Sequence, residues 1–213
     1  MLLEARFRSP LSERRRVNRA SHEPQPSPQR AAEPGEARVV FIAAGANLGE
    51  RWQTLYDAFC GLCLLEQTWD WRASPLYETP PVDVVAAPGE EVPAFLNAVF
   101  AASTRLSAEE LLSTLQRHER RAGRSDKGDH RSRALDLDLL ALGNVVCHDD
   151  ELTLPHPRLA QRWFVLKPLC DLEPEWRHPQ RGITAEAMLA TLEDETCEDA
   201  AIGRGWRYAE SFA

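Results

Sequence analysis

Beyond residue 37 the chain falls into short segments whose apolar positions recur every second residue or every third to fourth, the periods of a strand and a helix. Val39-Val40-Phe41-Ile42-Ala43-Ala44 is a continuous apolar run ended by Gly45, which predicts a buried strand, and Asn47-Leu48-Gly49 forms the turn after it. Residues 51–65 bring Leu55, Phe59 and Leu62 to helical spacing. Residues 68–77 read as a strand, broken by Thr79-Pro80-Pro81 because proline offers no backbone N–H to a ladder. Residues 82–92, with Pro88 and Gly89, read as an exposed loop, and residues 95–103 return to strand character. Ser107 is a helix N-cap with Glu110 completing a capping box, and the helix it opens runs to about Arg121 on Leu111, Leu112 and Leu115 before Gly123 stops it. A polar stretch, 124–132, leads into a strand at 133–142. A proline-bounded segment at 154–157, an apolar run at 164–172 and a weak helix at 184–192 follow. The order β-α-β-β-α-β predicts a ferredoxin-like α+β sandwich with an antiparallel sheet covered by helices.

Composition separates the beginning of the chain from the rest. Residues 1–37 hold seven Arg, five acidic residues, five of the 15 prolines and one aromatic, Phe7. Too little apolar surface is present there to offset ordering entropy, so an unstructured tail is expected, followed by one domain over residues 38–213. The tail's net charge of +2 leaves −10 on the remainder of a chain whose overall charge is −8. That acidity disfavours a protein that coats nucleic acid, and no apolar run is long enough to span a membrane. The five cysteines are irregularly spaced and no secretory signal is evident, so reduced, mostly buried thiols in a cytoplasmic protein are expected. Cys60-x-x-Cys63 has no second ligand pair for a zinc site.

The candidate chemistry centres on Leu135-Asp136-Leu137-Asp138-Leu139-Leu140. On a strand Asp136 and Asp138 share a face, about 7 Å apart at a rise of about 3.3 Å per residue. Two readings are open: an ordinary solvated face, or a pair of like charges that a hard cation such as Mg²⁺ reconciles. Arg124, Lys127, His130, Arg131 and Arg133 precede the pair and His156, Arg158 and Arg162 follow it. Basic groups on both sides suit a triphosphate clamp. No Gly-x-x-x-x-Gly-Lys-Ser/Thr loop occurs, so this is not a P-loop enzyme, and no nucleophile triad is recognisable. Phosphoryl transfer needs none, because a substrate hydroxyl attacks while positioning and charge neutralisation supply the rate.

Several motifs in order resemble the 6-hydroxymethyl-7,8-dihydropterin pyrophosphokinases of folate biosynthesis, over roughly residues 39–179. They are residues 41–49, Ser74-Pro75-Leu76-Tyr77-Glu78-Thr79-Pro80-Pro81, Phe95-Leu96-Asn97-Ala98, Gln116-x-x-Glu119-x-x-x-Gly123-Arg124 with Arg133-Ala134-Leu135-Asp136-Leu137-Asp138, and Leu154-Pro155-His156-Pro157-Arg158-Leu159 with Arg162 and Phe164. The resemblance implies that Asp136 and Asp138 hold two Mg²⁺ ions bridging the phosphates of ATP, the co-substrate. It implies that Gln116, Arg124, Arg133, Leu139, His156 and Arg162 serve the nucleotide, with Arg124, Arg133 and Asp138 catalytic. Phe95 and Phe164 would stack on the pterin, and Asn97 with Thr79, Pro80 and Val82 would meet its edge. Glu119 would line the pockets with Gln116. The family's aromatic-small-Pro pattern before Leu-Asp is replaced here by Gly128-Asp129-His130-Arg131-Ser132-Arg133. The implied protein is a monomer or weak dimer that binds neither nucleic acid nor membrane. Its rivals are a metal-dependent nucleotide-sugar transferase, for which the chain is short, and a non-catalytic ferredoxin-like nucleotide-binding module.

Overall fold

The computed structural model describes residues 35–82, 91–123, 134–192 and, by backbone alone, 201–202. The expected tail at residues 1–37 therefore lies almost wholly outside the described residues, as do most of the 82–92 loop and the whole polar stretch 124–132. The elements run β1 Arg38–Ala46, α1 Arg51–Cys63, β2 Thr68–Ala73, β3 Leu76–Thr79, β4 Phe95–Thr104, α2 Ala108–Arg121, β5 Asp136–Leu142, β6 Cys147–His148, β7 Thr153–Leu154, α3 Trp163–Leu172, α4 Ala185–Leu189 and β8 Ala201–Ile202. None of the described helices is long and apolar enough to cross a membrane.

The main sheet has the order β5-β1-β4-β3-β8, with β2 also paired to β4. β1 pairs antiparallel with both β4 and β5, and β2 and β3 pair antiparallel with β4 in succession. This is the strand order of a β-α-β-β-α-β sandwich, with β2 and β3 sharing one strand position.

The expected single strand at 68–77 is two strands. Pro75 cannot donate to the ladder, and Ser74 takes over locally: its N–H donates to Val99 O at 2.9 Å and its Oγ accepts from Val99 N–H at 2.9 Å. β1, expected to stop at Gly45, runs on to Ala46, because Gly45 is held on both sides, opposite Asn97 and Asp136. The capping box at Ser107 and Glu110 forms as read, and Gly123 sits at φ 100°, open to glycine without Cβ strain. The apolar run at 164–172 is helical despite Pro168.

Strand alternation divides the interior in two. Val40, Ile42, Ala44, Leu96, Phe100, Leu135, Leu137 and Leu139 face α1 and α2, where they pack on Leu55, Phe59, Leu62, Leu111 and Leu115. Phe41, Val99, Ala101, Leu140 and Ala141 face the other way, against Val165, Leu166 and Leu169 of α3 and Met188 of α4. The register of β5 on β1 slips between Phe41 and Ile42, so that Leu140 and Ala141 are both opposite Phe41. This bulge turns two successive apolar residues to one side. The described cysteines are free and half-buried. Burial, helped by Cys60, pushes the Cys63 thiol up to about 11, so Cys63 lacks the thiolate that reactivity requires.

Candidate active site

Gly45, Ala43, Asn97, Phe95, Tyr77 and Thr79 share the α3 side of the sheet with Asp136 and Asp138. This follows from cross-strand register: Asp136 is opposite Gly45, Gly45 opposite Asn97 and Asn97 opposite Tyr77, while Asp138 is opposite Ala43 and Phe95 opposite Thr79. α3 covers only part of this side. At the β5 end the two neighbours of the aspartates are the smallest side chains available, and the Asp138 carboxylate keeps 37% of its exposure.

Gly45 is the floor between the two halves of the site. A Cβ added there would sit 3.1 Å from Asn97 Oδ1 and 3.9 Å from Phe95 Cδ1. Read from sequence, it was only a strand end; the signal for its role is a glycine with strand partners on both sides, which needs the register to be known. On one side of this floor the buried Asn97 Nδ2 donates to Thr79 Oγ1 at 2.8 Å, with Phe95 half-buried alongside. Phe164 enters from the first turn of α3, partly buried, with the Arg162 guanidinium 5.4 Å from its ring centroid. On the other side Asp138 Oδ2 lies 3.9 Å from both His156 Nε2 and Arg162 Nη1.

His156 is placed through the bulge on β5: its N–H donates to Leu140 O at 2.8 Å. Its Nδ1 accepts from Arg158 N–H at 3.2 Å, so in the neutral ring the proton sits on Nε2, the nitrogen turned toward Asp138. Burial first, then Arg162 and Arg158, hold the ring down to about 4 against the opposing pull of Asp136. His156 is therefore a neutral hydrogen-bond donor at physiological pH and Arg162 the fixed charge.

Glu119 is buried at 4% exposure, and its Oε1 accepts from Leu137 N–H at 3.0 Å. Among the described strands β5 is the edge of the sheet, and the α2 carboxylate serves where a further strand would otherwise accept. It thereby fixes the peptide between the two aspartates. Gln116 lies one turn earlier on α2, half-buried. The side chain of Leu139 is in the α1–α2 core, away from this face. Pro80 and Val82 are exposed at the rim, and Arg124 and Arg133 lie outside the described residues.

Among the described residues no group of three or more His, Cys, Asp or Glu side chains is arranged to hold a metal ion. Asp136 and Asp138 supply hard oxygen donors but too few of them for a complete shell. That donor set fits a divalent cation whose remaining ligands are water and phosphate oxygens, the coordination Mg²⁺ favours when it arrives with a nucleotide.

Residues 41–174 match the family model described as 7,8-dihydro-6-hydroxymethylpterin-pyrophosphokinase. The folic acid synthesis protein fol1 of Pneumocystis carinii is 34% identical over 156 residues, covering 73% of this chain and 20% of that protein. The mitochondrial folate synthesis bifunctional protein of Arabidopsis thaliana is 41% identical over 138 residues, 62% of this chain and 23% of that one. The chain thus spans about a fifth of the length of these relatives. Among solved structures, Plasmodium falciparum HPPK-DHPS with pteroate superposes at a TM-score of 0.54 and 15% identity, over 75% of this chain and 43% of that one, a likeness of fold. The chain belongs to the family of 7,8-dihydro-6-hydroxymethylpterin-pyrophosphokinases.

Proposed function

We propose that this chain transfers the β,γ-diphosphoryl group of ATP to the hydroxymethyl oxygen of 6-hydroxymethyl-7,8-dihydropterin. The observation that carries the reading is the single sheet face on which an aspartate pair with a neutral histidine and an arginine adjoins an amide–hydroxyl pair beside Phe95, with Phe164 against the same arginine.

The pterin ring would lie between Phe95 and Phe164. Each stacking contact contributes on the order of 1 kcal/mol beyond burial. Asn97, held in one orientation by Thr79, would meet the ring's polar edge. Gly45 leaves the hydroxymethyl group free to reach toward the aspartates. Asp136 and Asp138 would hold two Mg²⁺ ions, which when bound neutralise the phosphate charge that would otherwise repel the incoming oxygen. Arg162 would pair with phosphate oxygens, and His156 would donate its Nε2 proton as a hydrogen bond without adding charge. The hydroxymethyl oxygen then attacks the β-phosphorus, the bond from that phosphorus to the α,β-bridging oxygen breaks, and AMP leaves. The hydroxyl proton passes to solvent or the leaving phosphate. With no protein nucleophile required, rate comes from alignment and electrostatics.

Incubation with ATP, Mg²⁺ and the pterin should release AMP in step with pterin diphosphate, and omission of Mg²⁺ should stop both. ATP binding without AMP release would instead identify a non-catalytic nucleotide-binding module.

A further inference from the structure

Three residues of α3 converge on the ring and hydroxyl of Tyr77, a residue with no assigned part in the chemistry. Tyr77 is buried at 4% exposure on β3, opposite Asn97. Trp163 meets its ring edge to face with centroids 5.6 Å apart. Its hydroxyl donates to Asp171 Oδ2. Lys167 Nζ donates to Asp171 Oδ1 and also lies 5.3 Å from the Tyr77 ring centroid. Residues 163, 167 and 171 are spaced four apart and so form one stripe of the helix.

The stripe spans a weak point. Pro168 stands inside α3 and has no N–H, so the carbonyl of Phe164, four residues earlier, loses the helical donor it would otherwise have. The first turn, held by Val165 N–H and Leu166 N–H to Arg162 O at 3.1 and 3.0 Å, is thus coupled less tightly to the rest of the helix. Beyond the other end, Arg72 Nη2 pairs with Glu173 Oε1 at 2.7 Å and Nη1 donates to Leu172 O at 3.4 Å, a tie independent of Tyr77. Through Tyr77 the stripe ties Trp163 in the first turn to Asp171 beyond Pro168, and that turn carries Phe164 and follows Arg162.

We infer that Tyr77 is a positioning residue, a splint that bridges the missing Pro168 hydrogen bond and sets the first turn of α3, and with it Arg162 and Phe164, over the substrate face. The inference rests on the proposed roles of those two residues. Burial first, and the bond to Asp171 next, raise the pKa of the Tyr77 hydroxyl, so it remains a donor throughout the physiological range.

The test uses the full chain and the variants Tyr77→Phe and Asp171→Asn. Phenylalanine keeps the ring and its contact with Trp163 but removes the donor, whereas asparagine keeps an oxygen for Tyr77 to bond. In Tyr77→Phe, amide exchange at Val165 and Leu166 should quicken by about tenfold while amides of α1 hold steady, because the opening is local. KM for the pterin should rise by roughly fivefold or more with kcat changing less, the pattern of lost binding of ground and transition state alike. Asp171→Asn should stay within about twofold of wild type on both readouts, as an acceptor of similar geometry is kept. Unchanged exchange in Tyr77→Phe would overturn the splint. Faster exchange with unchanged KM would overturn the positioning role and leave Tyr77 a purely structural residue. Failure of the proposed reaction would show separately, as no AMP from the wild-type chain, and pterin titration with the exchange data would then decide the splint.

Discussion

The two faces of the same sheet are built to opposite ends. The side under α1 and α2 is closed: Ile42, Leu55, Leu62 and Phe100 are wholly buried there, and Phe59 lies between Phe100 and Trp71. The side under α3 is apolar only where the helix lies on it. Toward β5 and the start of β4 it carries aspartate, glycine, asparagine and half-exposed phenylalanine instead. One face is packed throughout, and the other leaves part of its packing unmade where the proposed ligands would sit. Substitutions on the two faces should therefore separate stability from turnover.

The largest separation is expected from Phe100→Ala on the closed face. Loss of a buried aromatic should cost about 3–5 kcal/mol, read as a lower urea midpoint, with kcat per folded molecule unchanged. A fall in kcat at full folding would mean the closed face acts on the site. Asp138→Ala and Asp136→Ala on the open face should do the reverse, abolishing AMP release while leaving the midpoint unmoved or slightly raised. Retention of more than about a tenth of activity, a loss under roughly 1.4 kcal/mol of barrier, would remove the metal role. Phe164→Ala should weaken pterin binding about tenfold or more, near 1.4 kcal/mol, with little effect on ATP. A large loss of stability with pterin affinity kept would make Phe164 core.

The smallest effect concerns pH. His118, on α2, lies against Gly61 of α1, where an added Cβ would come within 2.6 Å of the imidazole. Burial first, then Arg121 and Arg117, lower its pKa from the ordinary 6.5. A histidine depressed on folding contributes stability that is present above 6.5 and is lost as pH falls from there through the folded value. His118→Gln should flatten that part of the acid limb of the stability curve and leave the pH dependence of turnover alone. A shifted turnover profile would tie the closed face to the chemistry.

Much of this was legible in the sequence because it is local. Alternation in Leu135-Asp136-Leu137-Asp138 settles which carboxylates share a face, the Ser107 and Glu110 pair begins α2, and the order of periods specifies the sandwich. Other features needed the third dimension. The break at Ser74-Pro75 depends on Ser74 finding Val99 across the sheet. Gly45 reads as a strand end until Asn97 and Asp136 are set beside it. Glu119 looks like a pocket residue, yet it holds a buried amide of the edge strand. His156 has an ordinary imidazole in sequence and a neutral, directed one only once Arg158, Arg162 and burial surround it. The chain's periodicity determined its elements, because each depends on neighbours three or four residues away. Register and the bulge at Leu140 decided which polar groups meet, because those contacts join residues far apart in sequence that become neighbours only when the whole sheet is formed.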